Sequence, residues 1–370
     1  MNRSDITDLP AARRAFDAWF RQAALPLWSS SGRMPDGGFY DALTLDGAPV
    51  PTRHRARVQA RQVFVYATAA IQGYGERWLP VAREGFALFR DHYQRDDGLF
   101  AVLTDGAGRV LDATPCLYEQ AFSLLAMAAL HGAGSQDFDH PAEALRLLDA
   151  LEPRRIAAGG YRELTEHPYQ ANSHMHLLEA ALAWDELGVS ARWTALADEI
   201  VGLAMTYFID PDGGFLREFF DESWRPAVGD PGRCVEPGHQ FEWAWLLERW
   251  GVARGDARAR AAARRLYENG LAGVDRTRDV AVNALWDDFT LQDGTARLWP
   301  QTEHLKAALV LGNEDEATAA AAGLAQYLDV PTPGAWRDRM LPDGGFIEEP
   351  APASSFYHLT LAVLELARGS

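Results

Sequence analysis

The sequence lacks the features that mark several large classes of protein. Its 370 residues contain two cysteines, Cys116 and Cys234, whose separation fits neither a zinc motif nor a disulfide framework. No apolar run approaches the length of a membrane-spanning helix, and the first residues lack the apolar core of a signal peptide. We therefore expect a cytoplasmic protein without membrane association.

Positively charged residues are fewer than negatively charged ones. The chain has 35 lysines and arginines against 52 aspartates and glutamates, which gives a formal net charge of −17. An acidic surface repels nucleic acids and anionic lipids, so we expect neither as a partner. The sequence contains no phosphate-binding glycine loop, nucleotide fingerprint or nucleophile elbow. We therefore expect chemistry without a bound cofactor.

Helical periodicity fills most of the chain. Apolar residues recur at i, i+3, i+4 and i+7, with many alanines and leucines. Twelve helices are predicted, at 10–29, 55–73, 77–94, 114–132, 140–154, 171–188, 191–208, 238–253, 257–272, 299–312, 314–329 and 354–368.

A glycine turn signal recurs every fifty to eighty residues and divides these helices into pairs. Asp-Gly and Gly-Gly steps supply the positive φ of tight turns. The six signals are Pro35 to Phe39, Asp96 to Phe100, Gly159 to Tyr161, Pro211 to Phe215, Gln292 to Gly294 and Pro342 to Phe346. Six helix pairs with a period near sixty residues predict an all-α fold, an (α/α)6 barrel of six helical hairpins over 1–370 as a single domain. Strands are expected only as short, local β-hairpins in the loops at the active-site end.

Polar side chains cluster near the start of alternate, more apolar helices. In a barrel these helices form the inner ring, so their polar ends meet at one mouth. The residues concerned are Arg57, Arg61, Tyr118, Glu119, Gln120, Asn172, His174, His176, His239, Glu242, Trp299, Glu303, Tyr357 and His358.

Two of these residues suit acid–base chemistry. A Pro-Gly step leads into a helix that carries His239 in its first turn, with Glu242 three residues later on the same face. His358 begins the last helix. Two imidazoles at one cavity can act as acid and base near neutral pH. The structural alternative is that His239 caps a core helix and His358 is a core histidine.

A metal site is not expected at His174 and His176. Residues two apart point to different sides of a helix, so the two imidazoles do not reach one ion. His176 has Glu179 three residues later as an orienting partner, whereas His174 is expected nearer the rim or bonded to its own loop.

Arg61 stands in a helix that is otherwise apolar on that side. It is either paired, with Glu242 or Glu303 as candidates, or aimed at a substrate oxygen. The same two glutamates would suit a glycosidase of this barrel type. A non-catalytic binding role for the fold is a further alternative.

Four ordered motifs resemble the N-acylglucosamine 2-epimerase superfamily, and the resemblance extends from Gly37 to His358. The motifs are Glu236 to Trp243, Asn172 to Ala180, Gln59 to Gln62 and Arg297 to Glu303.

The resemblance implies an (α/α)6 barrel that transfers a proton at C2 of an unphosphorylated sugar, without metal or cofactor. It implies that His239 and His358 are the acid/base pair and that Arg61 stabilises an enediolate. The implied substrate-binding residues are Asn172, His176, Glu242, Trp299 and Glu303, with the two glutamates also able to orient the histidines.

The run Trp299-Pro300-Gln301 and the length look closest to the mannose isomerase branch. We therefore expect interconversion of D-mannose and D-fructose, with a sugar 2-epimerase using the same residues as the alternative. The partner is a monosaccharide, and a homodimer is compatible with the resemblance.

Overall fold

A computed structural model describes residues 1–368, which form fourteen α-helices and fourteen short β-strands. The helices are α1 (Leu9–Trp19), α2 (Leu25–Ser30), α3 (Ala56–Ile71), α4 (Trp78–Tyr93), α5 (Leu117–Gly132), α6 (His140–Leu151), α7 (Ala171–Leu187), α8 (Ala191–Leu203), α9 (Asp230–Arg233), α10 (Pro237–Arg254), α11 (Ala257–Leu271), α12 (Leu298–Val310), α13 (Glu314–Ala325) and α14 (Ser355–Arg368). The strands are β1 (Ala42–Leu43), β2 (His54–Arg55), β3 (Leu103–Thr104), β4 (Val110–Asp112), β5 (Tyr169–Gln170), β6 (Phe219–Phe220), β7 (Cys234–Val235), β8 (Val274–Asp275), β9 (Val280–Ala281), β10 (Ala284–Trp286), β11 (Leu291–Asp293), β12 (Ala296–Arg297), β13 (Arg339–Met340) and β14 (Ala351–Pro352).

Six inner helices form a closed ring. Helices α3, α5, α7, α10, α12 and α14 each pack on the next, and α14 packs on α3. Inner helix α5 is buried on every side over most of its length, whereas outer helix α4 buries one stripe that runs from Trp78 to Tyr93 at helical spacing. The (α/α)6 barrel predicted from the sequence is confirmed.

The two rings of helices begin differently. Outer helices α1, α6, α8, α11 and α13 start at Asp8, Asp139, Ser190, Asp256 and Asn313, whose side chains accept from the first turn. Inner helices α3, α7, α10 and α12 have no such side-chain cap, whereas Glu163 accepts from the first two N–H groups of α5. The partial positive charge of these four N-termini is therefore directed at the mouth of the ring.

The strands are short, as predicted, but their pairing is less local than predicted. Strands β2, β5, β7, β12 and β14 lie directly before the inner helices, and each pairs with a segment from elsewhere in the chain. The pair β1 and β14 joins Ala42–Leu43 to Ala351–Pro352 and so ties the two ends of the chain together. The strands thus help to fix the start of each inner helix at the mouth.

A repeated side-chain clamp holds the turns to the inner helices. In each copy a glutamine side chain bonds both the N–H and the C=O of one turn residue. The pairs are Gln59 with Phe39, Gln120 with Phe100, Gln240 with Leu216 and Gln301 with Ala281. At the third turn Nε2 of His174 accepts from the N–H of Tyr161 instead, so His174 bonds a loop and not the cavity.

The fifth turn does not lie where the glycine signal predicted it. The residue clamped there is Ala281, and the turn before it places Asp279 at φ 55°, in the left-handed region. The signal at Gln292 to Gly294 belongs instead to the hairpin of β10 and β11. Aspartate tolerates positive φ better than most residues, which explains how this turn forms without glycine.

The predicted helix at 10–29 is interrupted. A widened turn at Phe20–Ala24 separates α1 from α2. Pro26, the second residue of α2, has no N–H to donate to the preceding turn, and its ring needs space beside that turn.

One hydrophobic cluster extends from Ile6 to Leu366. Because the cluster draws on every helix of the ring, we propose that the chain forms a single domain. Over residues 1–368, no helix combines the length and apolar character that crossing a membrane would need.

Candidate active site

A cavity of about 290 Å³ opens at the mouth where the inner helices begin. Seven of the eight predicted site residues line it, and Glu303 lies behind the wall. The lining residues are Arg55, Arg57, Arg61, Tyr118, Asn172, His176, Glu236, His239, Glu242, Arg297, Trp299, Ser354, Ser355 and His358.

His239 is held by two carboxylates. Its Nδ1 lies 2.9 Å from Glu218 and 3.7 Å from Glu236. Burial by itself would lower the pKa of His239, but the negative charges of Glu218 and Glu236 outweigh burial and raise the pKa to about 10. His239 is therefore protonated at neutral pH.

His358 has the opposite environment. Its Nδ1 forms a 2.8 Å hydrogen bond with Glu303. Burial, together with the cations of Arg61 and Lys306, lowers the pKa of His358 well below its usual value. His358 is therefore neutral at neutral pH, and because its Nδ1 faces a carboxylate, Nε2 is the nitrogen left free.

The indole ring of Trp299 contacts the imidazoles of both His239 and His358. Its ring centroid lies 4.9 Å from that of His239 and 5.7 Å from that of His358. Two titratable groups with pKa values shifted in opposite directions are the arrangement expected of an acid and a base.

Within residues 1–368 Arg61 forms no ion pair with a carboxylate, so of the two alternatives left open by the sequence the pairing with Glu242 or Glu303 is not formed. Its guanidinium donates to the Tyr118 hydroxyl at 2.7 Å and to the Ser354 carbonyl at 3.3 Å. It also stacks over Phe122 at 4.1 Å. The physical reason is that Arg61 is held by neutral groups and rings, which leaves its positive charge uncompensated at the cavity wall.

His176 faces the cavity and contacts two glutamates. Its Nδ1 lies 3.5 Å from Glu179 and 3.8 Å from Glu242. Burial lowers its pKa to about 4, although Glu179 opposes this shift. His176 is therefore a neutral group in the cavity wall and not a second cation beside Arg61.

Two polar groups in the wall have buried oxygens that accept no hydrogen bond. Both carboxyl oxygens of Glu242 and the amide oxygen of Asn172 are buried without a hydrogen bond. Burial, followed by the charge of Glu303, raises the pKa of Glu242 well above its usual value. Unpaired polar oxygens in a cavity wall are suited to a ligand rich in hydroxyl groups.

Several residues of the site were missed from the sequence. Glu218 lies in the segment before β6, and its only signal was a carboxylate beside the Phe219-Phe220 pair. Lys306 is 0% exposed and contacts Glu303. The mouth also contains Arg57, which the sequence predicted there, and two arginines that were not among the predicted site residues. Each is paired with a carboxylate: Arg55 with Asp41, Arg57 with Glu119 and Arg297 with Asp338.

Three sets of imidazole and carboxylate groups lie close enough to share a metal ion. They are His176, Glu179 and Glu242; Glu218, Glu236 and His239; and Glu242, Glu303 and His358. In two sets a protein cation already sits beside the carboxylates, since His239 contacts Glu218 and Lys306 contacts Glu303 at 2.6 Å. These contacts favour protein groups over a metal ion as the charge balance of the site.

The chain is similar to known sugar-converting proteins. It is 44% identical over 94% of its length to a Rhizobium meliloti (strain 1021) protein named mannose-6-phosphate isomerase, of which 95% is covered. It is 29% identical over 81% of its length to the D-mannose isomerase of Thermobifida fusca, of which 79% is covered.

The fold is also found in solved structures. The cellobiose 2-epimerase of Spirochaeta thermophila DSM 6192 superposes with a TM-score of 0.87 at 23% identity, over 97% of this chain and 96% of the epimerase. The model of the N-acylglucosamine 2-epimerase family matches residues 37–362. The chain therefore belongs to the N-acylglucosamine 2-epimerase family of sugar epimerases and isomerases.

Proposed function

We propose that this protein is an aldose–ketose isomerase that interconverts D-mannose and D-fructose. The observation that carries the proposal is the pair of imidazoles beside Trp299, one protonated at His239 and one neutral at His358. Such a pair supplies the acid and the base that a proton transfer between neighbouring carbons needs. The similarity to the protein named D-mannose isomerase supports the choice of sugar.

In this proposal, Nε2 of His358 removes the proton from C2 of the open-chain sugar. The carbonyl at C1 acidifies that proton, so ring opening comes first. The electrons move onto the C1 oxygen, and an enediolate forms. Arg61 then stabilises the developing negative charge, because its guanidinium has no carboxylate partner in the described chain.

His239 is assigned to protonate the C1 oxygen of the enediolate and then to take the proton of the C2 hydroxyl, which returns its imidazole to the protonated form. His358 gives the proton taken from C2 to C1, so the product is the ketose with its carbonyl at C2. The N-termini of α3 and α10, which have no side-chain cap, add partial positive charge at the mouth. The buried oxygens of Glu242 and Asn172 would bind hydroxyl groups of the sugar.

The test is proton NMR of EDTA-treated protein with D-mannose in deuterated water. Appearance of fructose, at a rate unchanged by EDTA, is the expected result. Glucose deuterated at C2, without early fructose, would instead identify a 2-epimerase that uses the same residues. No change in mannose, glucose or N-acetylmannosamine would contradict both assignments.

A phosphorylated sugar is the second candidate substrate. The name of the 44% identical protein and the presence of Arg55, Arg57 and Arg297 in the cavity favour it. Each of the three arginines is already paired with a carboxylate, whereas a phosphate dianion needs uncompensated positive charge. This pairing favours the neutral sugar, and D-mannose 6-phosphate in the same NMR assay compares the two.

The geometry does not support the glycosidase alternative with Glu242 and Glu303 as the two carboxyl groups. That reaction needs two carboxyl groups that reach the scissile bond. Glu303 is 0% exposed, lies behind His358 and contacts Lys306. It therefore does not reach a substrate bound beside Glu242.

A further inference from the structure

The chain contains a single lysine, Lys306, and its other 34 basic residues are arginines. Lysine is usually an exposed residue, yet this one is 0% exposed in the middle of inner helix α12. Its ammonium lies 2.6 Å from Oε2 of Glu303 and 3.9 Å from the ring centroid of Trp245. A compact ammonium suits this enclosed position better than the wide fork of a guanidinium.

Carboxylates from three inner helices surround the ammonium. Glu303 lies on α12, Glu242 on α10 and Glu179 on α7, and the negative charge of each raises the pKa of Lys306 against the effect of burial. Burial of several carboxylates without a cation would cost folding free energy, so Lys306 balances their negative charge beside the cavity. The charges of Arg61 and His176 also act on His358, and Tyr357 donates to Glu179.

A continuous line of contacts joins this lysine to the cavity. Lys306 contacts Oε2 of Glu303, and Oε1 of the same carboxylate bonds Nδ1 of His358 at 2.8 Å. Lys306 itself does not line the cavity. We propose that Lys306 is a positioning residue that keeps Glu303 ionised, so that His358 carries its hydrogen on Nδ1 and keeps Nε2 free to take a proton from the substrate. The proposal rests on the proposed role of His358 as the base.

The chemical reason is that the protonation state of Glu303 decides whether its carboxyl group can donate a hydrogen bond to His358. An ionised carboxylate only accepts, so it requires the hydrogen to be on Nδ1. A protonated carboxyl group has an O–H that can donate to Nδ1, and the imidazole hydrogen then sits on Nε2, where it blocks proton uptake. Burial raises the pKa of Glu303, and Lys306 opposes that rise. Removal of the lysine therefore raises the pKa of Glu303 further and favours its protonated form.

The first experiment compares K306M with the double variant E303Q/K306M. We expect K306M to lower kcat at pH 7 by about 10²-fold, the lower part of the range for acid–base catalysis, and to regain activity as the pH rises and Glu303 ionises. The double variant should be at least about tenfold more active than K306M at pH 7, because the amide oxygen of Gln accepts from Nδ1 without needing a cation. The proposal would be overturned if K306M lost the same share of kcat at every pH and E303Q/K306M were no more active than K306M.

The second experiment does not depend on turnover or on the substrate. Labelling with lysine that carries ¹⁵N at Nζ gives one side-chain signal, because the chain has one lysine. We expect the wild-type signal to be that of a charged ammonium at pH 7; a neutral amine would overturn the proposal even if K306M failed to fold.

Histidine labelled with ¹⁵N completes the test, with His358 identified by the signal missing from His358→Ala. We expect the hydrogen on Nδ1 in the wild type and on Nε2 in folded K306M. An unchanged tautomer in folded K306M would overturn the role of Lys306. If the tautomer changes but the wild type converts no sugar, the proposed function fails and the role of Lys306 stands.

Discussion

The carboxylate of Glu218 lies 2.9 Å from Nδ1 of His239, although 21 positions separate the two residues in the chain. Glu218 is 1% exposed, so the pair is shielded from water and its charges interact strongly. The contact fixes the orientation of His239 and supplies the first of the negative charges that keep its imidazole protonated. In the proposed reaction Glu218 would act through His239.

Glu218→Gln should shift the alkaline limb of the pH–rate profile. His239 acts as an acid only while protonated, and its pKa is raised to about 10, so wild-type activity should fall as the pH rises through that region. Removal of the Glu218 charge lowers the pKa of His239, so the limb moves to lower pH. The measurement is kcat/KM from pH 5 to 11.

A matched control for this variant is Glu222→Gln, since Glu222 is an exposed residue of the same segment and pairs with Arg162. It should leave the limb unchanged. An alkaline limb at the same pH in wild type and Glu218→Gln would refute the assigned role of Glu218.

Replacement of each histidine should affect different steps. His358→Ala removes the proposed base, so both turnover and deuterium exchange at C2 should fall by about 10²- to 10⁴-fold. His239→Ala removes the proposed acid, so turnover should fall while C2 exchange stays faster than in His358→Ala. Deuterium incorporation followed by NMR in deuterated water measures both rates, with circular dichroism as the control for folding. Near wild-type activity in both variants would refute the acid/base pair.

The sequence was most informative where a pattern repeats along the chain. The period of the helix pairs predicted the barrel. The positions of His239, His358 and Arg61 near helix starts predicted that they meet at one mouth, and all three line the cavity there. Repetition was less informative for single turns, because Asp279 replaces the expected glycine in the fifth turn.

Contacts between distant segments could not be read from local patterns. Glu218 reaches His239 from a loop, and no spacing rule connects the two. The contacts of Arg61 also could not be read from local patterns, because a neutral hydroxyl and a carbonyl hold it and neither candidate glutamate does. The solitary lysine was a visible signal, but only the fold shows that Lys306 is buried against Glu303.

Gly238→Ala should disturb the platform between the two histidines. A methyl group at this position would lie 2.5 Å and 2.6 Å from two atoms of the Trp299 indole, which forces the ring to move. We expect KM for D-mannose to rise by about tenfold, a 1.4 kcal/mol loss in binding if KM follows affinity, because Trp299 contacts both imidazoles. Steady-state kinetics and thermal unfolding measure the two effects.

Gly202→Ala is the control for the glycine substitution. Gly202 lies in outer helix α8, and a methyl group there meets no atom within 4 Å. Alanine should stabilise this helix by about 0.5–1 kcal/mol and leave KM unchanged. A similar KM in Gly238→Ala and Gly202→Ala would show that Trp299 does not position the substrate.

Asp338→Asn should make the cavity more favourable for a phosphorylated sugar. Asp338 pairs with Arg297 at 3.3 Å and is 6% exposed, so it neutralises an arginine of the cavity mouth. The substitution keeps the shape of the side chain and releases the positive charge. We expect KM for D-mannose 6-phosphate to fall by about three- to tenfold at low salt, while KM for D-mannose stays the same.

The comparison requires both sugars at two salt concentrations, with Asp315→Asn on outer helix α13 as the control, since Asp315 is exposed and not part of the cavity. The gain for the phosphorylated sugar should shrink as salt screens the charge. If the wild type already prefers D-mannose 6-phosphate and Asp338→Asn does not improve it, the paired arginines bind phosphate as they stand. The neutral sugar would then be the wrong substrate, whereas the acid and base assigned to His239 and His358 would be unaffected.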